Sequence, residues 1–205
     1  MTTRHLALLR GINVGGNNVI PMAKLRAAFE ALGFDEVETY IASGNVAFSS
    51  AKLPNRDVIE AMLAQHFSYA ARIVLLKASE LKKAVAEAPS GFGEDPETYR
   101  YDVLFARAPV KAKTVLPQLA VKDGVDAIAA GTHALYFRRL IAKASQSKLV
   151  KLMSLPVYKE LTVRNWNTTS ALLELATSPS KRPLRAGGTA SSASAPRNRR
   201  VRSRR

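Results

Sequence analysis

Short apolar runs and helical stripes follow one another in this chain as strand, helix, strand, strand, helix, strand, and the order then repeats. The first run, His5 to Ile12, has a continuous Leu-Ala-Leu-Leu centre, which predicts a strand covered on both faces. Met22, Leu25, Phe29 and Leu32 then recur at helical spacing, with Pro21 at the first helical position and Gly33 past the end. Val37 to Ala42 and Val46 to Ser49 read as strands joined by the tight turn Ser43-Gly44-Asn45. Val58, Ile59, Met62, Leu63 and Phe67 mark one face of a second helix, and Arg72 to Lys77 a fourth strand. Ser79 to Ala88 is expected to be a short helix capped by Ser79.

The second pass has strands at Tyr99 to Arg107, Val125 to Ala130, Ala134 to Arg138 and Glu160 to Arg164. Its helical pieces are Val110 to Ala120, disturbed by Pro117, then Ser145 to Ser154, and a final helix near Thr168 to Ala176. The order β-α-β-β-α-β is the ferredoxin-like pattern. The expectation is therefore an α+β chain of two tandem ferredoxin-like units with extra helices. The units span 1–77 and 99–177, with a connecting helix and linker at 78–98 and a disordered, Arg-rich tail at 178–205. No sequence identity between the halves is visible.

Charge has to be divided before it is interpreted. The 205 residues carry a net +15, but nine of the 31 basic groups lie from Ser178 onward, where no acidic residue occurs. The remaining 22 face 16 acidic groups, a net +6, so the part expected to fold is only mildly basic. The tail is rich in Ser, Ala, Gly, Pro and Arg and cannot bury enough surface to order itself. With no cysteine, the chain has no disulfide, thiolate nucleophile or cysteine-held zinc. The start lacks a secretory pattern, and no apolar stretch reaches the length of a membrane span. A cytoplasmic protein of bacterial style, with no membrane partner, is the expectation.

The stretch that looks made for a ligand is Arg10-Gly11-Ile12-Asn13-Val14-Gly15-Gly16-Asn17-Asn18, between the first strand and the first helix. A Gly-rich loop entering a helix presents backbone N–H groups to an anion. Arg10 adds a forked, permanently charged partner for phosphate or carboxylate. In a ferredoxin-like sheet the first two strands run the same way, so this loop and the turn at Ser43 and Asn45 share one edge. The expected rim is Arg10, Asn13, Gly15, Gly16, Asn17, Ser43 and Asn45. The competing reading is that Asn and Gly serve only turn geometry. Gly11, Gly15 and Gly16 fit neither the dinucleotide fingerprint nor a P-loop.

A second candidate is Arg164-Asn165-Trp166-Asn167-Thr168, with Arg164 and Asn165 in a groove between the halves. Its plainer reading has Asn167 or Thr168 capping the final helix and Trp166 packing as an anchor. A third is the basic stretch 135–177, where Lys143, Ser147 and Lys151 share a face if the helix there begins early enough. That face is either solvated or a phosphate-tracking surface, so non-specific nucleic-acid association through this region and the tail is an alternative partner. The aromatic platform of RNA-recognition domains is missing from the first half. His5, His66 and His133 are isolated, and no catalytic or metal-binding motif occurs, so neither a reaction nor a cofactor is indicated.

The segments Arg10-Gly-Ile-Asn-Val-Gly-Gly-Asn18, Thr39-Tyr-Ile-Ala-Ser-Gly-Asn-Val46 and Thr162-Val-Arg-Asn-Trp-Asn-Thr168 together resemble the bacterial family called domain of unknown function 1697. The resemblance covers residues 4 to about 177. It implies an α+β fold with ferredoxin-like units and supplies no activity. One departure is Ala42, where the family often has a polar residue such as Gln. The favoured expectation is a module that binds a small anionic ligand, phosphate-bearing ones included, at the Gly/Asn rim. An enzyme of undetected class using Arg10, Asn13 and Arg164 is the other candidate.

Overall fold

A computed structural model describes residues 2–16 and 18–178. Met1, Asn17 and the expected tail from 179 lie outside them. The strands are β1 (Thr3–Leu9), β2 (Asp35–Tyr40), β3 (Asn45–Ser50), β4 (Ile73–Lys77), β5 (Tyr99–Ala106), β6 (Asp126–Ala130), β7 (Ala134–Leu140) and β8 (Leu161–Asn165). The helices are α1 (Met22–Ala31), α2 (Arg56–Phe67), α3 (Ala78–Ala86), α4 (Ala112–Val115), α5 (Leu149–Leu152) and α6 (Trp166–Thr177). They build a mixed α+β protein with two four-stranded antiparallel sheets, in the orders β2-β3-β1-β4 and β6-β7-β5-β8.

Three apolar layers hold these sheets. Ala7, Leu9, Phe48 and Ile73 of the first sheet face α1 and α2, with the rings of Phe29 of α1 and Phe34 packed at a tilt against Phe48. The opposite face of the same strands carries Leu6, Leu8, Val74 and Leu76. These join Leu81 and Ala84 of α3, Leu172 and Ala176 of α6, and Val103, Phe105 and Tyr136 of the second sheet. The far side of the second sheet packs Leu104, Leu135 and Phe137 on α4 and α5. The continuous apolar run in β1 thus has its physical reason: both of its faces are buried.

Local departures from the expected elements have local causes. Pro21 stands one residue outside α1, as its N-cap. The cap of α3 is Lys77 rather than Ser79, because the Glu80 carboxylate reaches back to accept from the Lys77 N–H at 2.8 Å. The piece from Val110 shrinks to α4 and a 3-10 turn at Leu116–Gln118, as Pro117 demands.

The helix expected over Ser145 to Ser154 is corrected most. Ile141–Gln146 is a kinked 3-10 segment, Ser147 is extended, and only Leu149–Leu152 is α-helical. The Lys148 N–H donates to Asp126 Oδ2 at 2.8 Å instead of to a helical carbonyl. Lys143, Ser147 and Lys151 therefore share no helix face. Among the described residues no helix is long and apolar enough to cross a membrane.

Candidate functional site

The glycine loop is tied to itself before it meets anything else. Asn13, at φ 53°, donates through Nδ2 to the carbonyls of Ile20 (3.1 Å) and Ala42 (2.7 Å), while its Oδ1 accepts from the Ile20 N–H at 2.7 Å. Asn18 Nδ2 donates to the Gly11 carbonyl at 3.0 Å. Gly15 and Gly16 lie exposed at the tip with φ of 59° and 77°. The polar atoms of Asn13 thus close the loop and fasten it to the β2–β3 turn.

That turn is braced from the other half of the chain. Gly44 is obligatory, since a Cβ there would stand 2.7 Å from Ile12 Cδ1 and 2.8 Å from Leu9 Cβ, at a φ of +79°. Asn45 is fully buried and donates to Tyr40 O (2.9 Å) and Ser43 Oγ (3.1 Å). Arg164 of β8 enters beside it, 7% exposed. Its Nε donates to Asn45 Oδ1 at 2.5 Å. Its Nη2 serves the carbonyls of Leu9 (2.8 Å), Ser43 (3.0 Å) and Gly44 (3.1 Å), and its Nη1 that of Val163 at 2.8 Å. Burial lowers its pKa to about 10, which leaves it cationic at neutral pH. A buried cation held by neutral oxygens alone is a strut between the halves.

Asn165 caps α6, its Oδ1 accepting from the Thr168 N–H at 2.7 Å, so the cap lies two or three residues earlier than expected. Trp166 packs edge-on to Phe92 with centroids 5.2 Å apart. Its indole also fits against Gly93, where a Cβ would come within 2.2 Å of the ring. Trp166 is the packing anchor that the plainer reading foresaw.

Arg10 is the expected residue that lines a cleft. Leu9, whose carbonyl Arg164 holds, is followed by Arg10 at the mouth of a cleft of about 570 Å³ between the halves. Gly11 and Asn18 share the Arg10 side of this cleft, and Tyr69, Ala70 and Arg72 come from the entry to β4. Met153 to Pro156, Tyr158 and Lys159 come from the segment before β8. Arg10 Nε donates to the Leu161 carbonyl at 3.2 Å, its guanidinium lies 4.9 Å from the Tyr158 ring centroid, and its own carbonyl accepts from the Tyr69 hydroxyl. Arg72 pairs with Glu160. Among the described residues neither Arg10 nor Lys159 has a carboxylate partner.

Arg10 and Arg164, left open as pocket partners by the sequence, are divided between the cleft wall and the interior. Arg164, Asn165, Asn13, Ser43 and Asn45 do not line the cleft, and Asn17 is outside the described residues. Tyr69, Arg72 and Tyr158 were missed, and Lys159 counted only within the basic stretch 135–177, because they lie one to four residues ahead of β4 and β8 and no spacing links them. The signal available was positional: Arg72 and Glu160 stand just before the last strand of each half.

The corresponding position in the second half is Arg107. Leu9 pairs with Ile73 and Ala106 with Leu161, and the next N–H in each case, of Arg10 or Arg107, donates to the carbonyl of Arg72 (3.0 Å) or Glu160 (2.8 Å). Arg107 is fully engaged with acids. Its Nε and Nη2 donate to the two Glu60 oxygens at 2.9 and 2.7 Å, and Nη1 reaches Glu160 at 3.4 Å. Hydrogen bonding to Glu60 raises its pKa further above the ordinary arginine range.

Two mixed α/β halves braced by a buried arginine, with a basic cleft at their seam, define the class. Residues 1–136 match the family model described as "Protein of unknown function (DUF1697)", and the chain belongs to that family. Among solved structures it is similar to the conserved bacterial protein SP0830 from Streptococcus pneumoniae. Identity is 28% and the TM-score 0.76, over 86% of this chain and 99% of that one. No curated protein matches.

Proposed function

We propose that this protein binds a small anion, a phosphate or carboxylate, in the cleft between its halves, with Arg10 as the anchor. The observation that carries the reading is the contrast between equivalent positions: Arg107 is neutralised by Glu60 and Glu160, while Arg10 and Lys159 meet no acid among the described residues. A half-buried guanidinium without an acid, in a cleft that the exposed Lys159 also lines, is a ready partner for a charge-assisted, forked hydrogen bond. The Gly/Asn loop, Ser43, Asn45 and Arg164 serve this site by fixing where Arg10 stands. Each half, with its β-α-β-β-α-β order, reads as a ferredoxin-like unit, and a cytoplasmic bacterial setting fits the cysteine-free composition.

The test is calorimetric titration of inorganic phosphate and pyrophosphate at fixed ionic strength. Arg10→Ala is expected to weaken binding at least tenfold, roughly 1.4 kcal/mol, with an unchanged unfolding midpoint. An affinity that survives Arg10→Ala would overturn the proposal.

A further inference from the structure

The cleft has two chemically different walls. Its basic groups, Arg10, Lys159 and the Glu160-paired Arg72, gather where β1 ends and β4 and β8 begin. The remaining wall is Met153, Leu155, Pro156 and the ring of Tyr158, with Tyr69 and Ala70 across from the first half. Met153 is 61% exposed although it is a large apolar side chain. The cleft volume of about 570 Å³ far exceeds the space one phosphate needs and falls in the range of small-molecule sites. A site for a bare inorganic anion has no use for this second wall.

The make-up of the apolar wall narrows the body of the ligand. Two tyrosine rings and a thioether offer polarizable contact beside the apolar Pro156 ring, and thioethers and aromatic faces favour planar rings over alkyl chains. Arg10 already lies over Tyr158, so a planar group entering the cleft extends an existing stack of flat surfaces while its charged end meets the cations. Extending the proposed anion site, and resting on it, we infer that the ligand is a phosphate monoester carrying a planar ring system. A nucleoside monophosphate and a smaller aryl phosphate share this chemistry.

The experiment titrates the full chain with inorganic phosphate, n-butyl phosphate, phenyl phosphate and adenosine 5′-monophosphate under one buffer and salt condition. Phenyl phosphate is expected to bind at least tenfold tighter than inorganic phosphate and several-fold tighter than butyl phosphate. Met153→Ser should reduce the ratio of phenyl to inorganic phosphate affinity at least threefold. A nucleotide tighter than phenyl phosphate assigns the ligand to nucleotides, and the reverse order assigns it to smaller ring phosphates; either supports the inference. Phenyl phosphate no tighter than butyl or inorganic phosphate overturns it while leaving the anion site standing. If none of the four binds, the anion site falls with it.

Discussion

The two halves of this protein repeat one framework and differ where their corresponding residues meet at the seam. Strand order and register coincide, so Arg10 corresponds to Arg107, His5 to Asp102, Lys77 to Asn165 and Leu76 to Arg164. Asn45, opposite Leu8, corresponds to Ala134, opposite Phe105. Where the first half contributes Leu76 and the second Ala134, both lie in the shared apolar layer. In the mirrored place stand Arg164 and Asn45, joined by a buried hydrogen bond. The same exchange recurs at the strand exits, where one arginine is closed by acids and the other faces a cleft. A repeated framework thus gives stability twice, and its few unmatched pairs mark where a distinct role has room.

The sharpest way to break this comparison is to make the polar side apolar. Arg164→Leu takes the guanidinium donors away from Asn45 Oδ1 and from the carbonyls of Leu9, Ser43 and Gly44, of which Gly44 keeps the Leu9 N–H, and should cost about 3–5 kcal/mol in urea unfolding. Adding Asn45→Ala should recover part of that loss, since the two residues share a bond. Additive losses in the double variant would deny their coupling.

The strand exits come next. Arg107→Ala strips Glu60 of its largely sheltered arginine, leaves Glu160 to Arg72 alone, and should cost roughly 2–3 kcal/mol of stability, with phosphate affinity in the cleft unchanged. Arg10→Ala should show the opposite pattern, a tenfold loss of affinity with a stability change below about 0.5 kcal/mol. Equal behaviour of the two variants in both assays would erase the distinction.

How much of this was legible depends on the range of the interaction. Element order, the buried β1, the cleft-facing Arg10 and the anchoring Trp166 follow from patterns a few residues wide. The helix over Ser145 to Ser154 was misread because its break comes from Asp126, some twenty residues away. Arg164 looked like a groove residue, since nothing local reveals that its acceptors lie on β1 and the β2–β3 turn. The cleft was half visible: Arg10 stood out, while Tyr158 and Lys159 gain meaning only once the halves dock.

The smallest expected effect lies at His5 and Asp102, which occupy matching positions and respond to burial in opposite ways. Burial lowers the His5 pKa below 6.5, so the unfolded chain binds more protons and His5 costs stability as pH falls through 6.5. His5→Phe, which keeps the stack on Phe48, should flatten the loss between pH 7 and 5. Burial raises the Asp102 pKa above 3.8, against the pull of Arg139, so the folded chain binds more protons and this group costs stability as pH rises through its folded pKa. Asp102→Asn should therefore raise the unfolding midpoint at pH 7 slightly, and a lowered midpoint would show that the Arg139 contact outweighs burial.

The position of α6 also bears on how the chain is made. This helix contacts both sheets and completes the layer between them, yet it is the last described element to leave the ribosome. The inner face of the first sheet, with Leu6, Leu8, Val74 and Leu76, must wait for it. Between the end of β4 and the start of α6 lies an interval of roughly 5–20 seconds at ordinary elongation rates. During that time the growing chain exposes an apolar surface that only its own later residues cover, which makes this interval the period when a chaperone that shields apolar sheets has the most to protect.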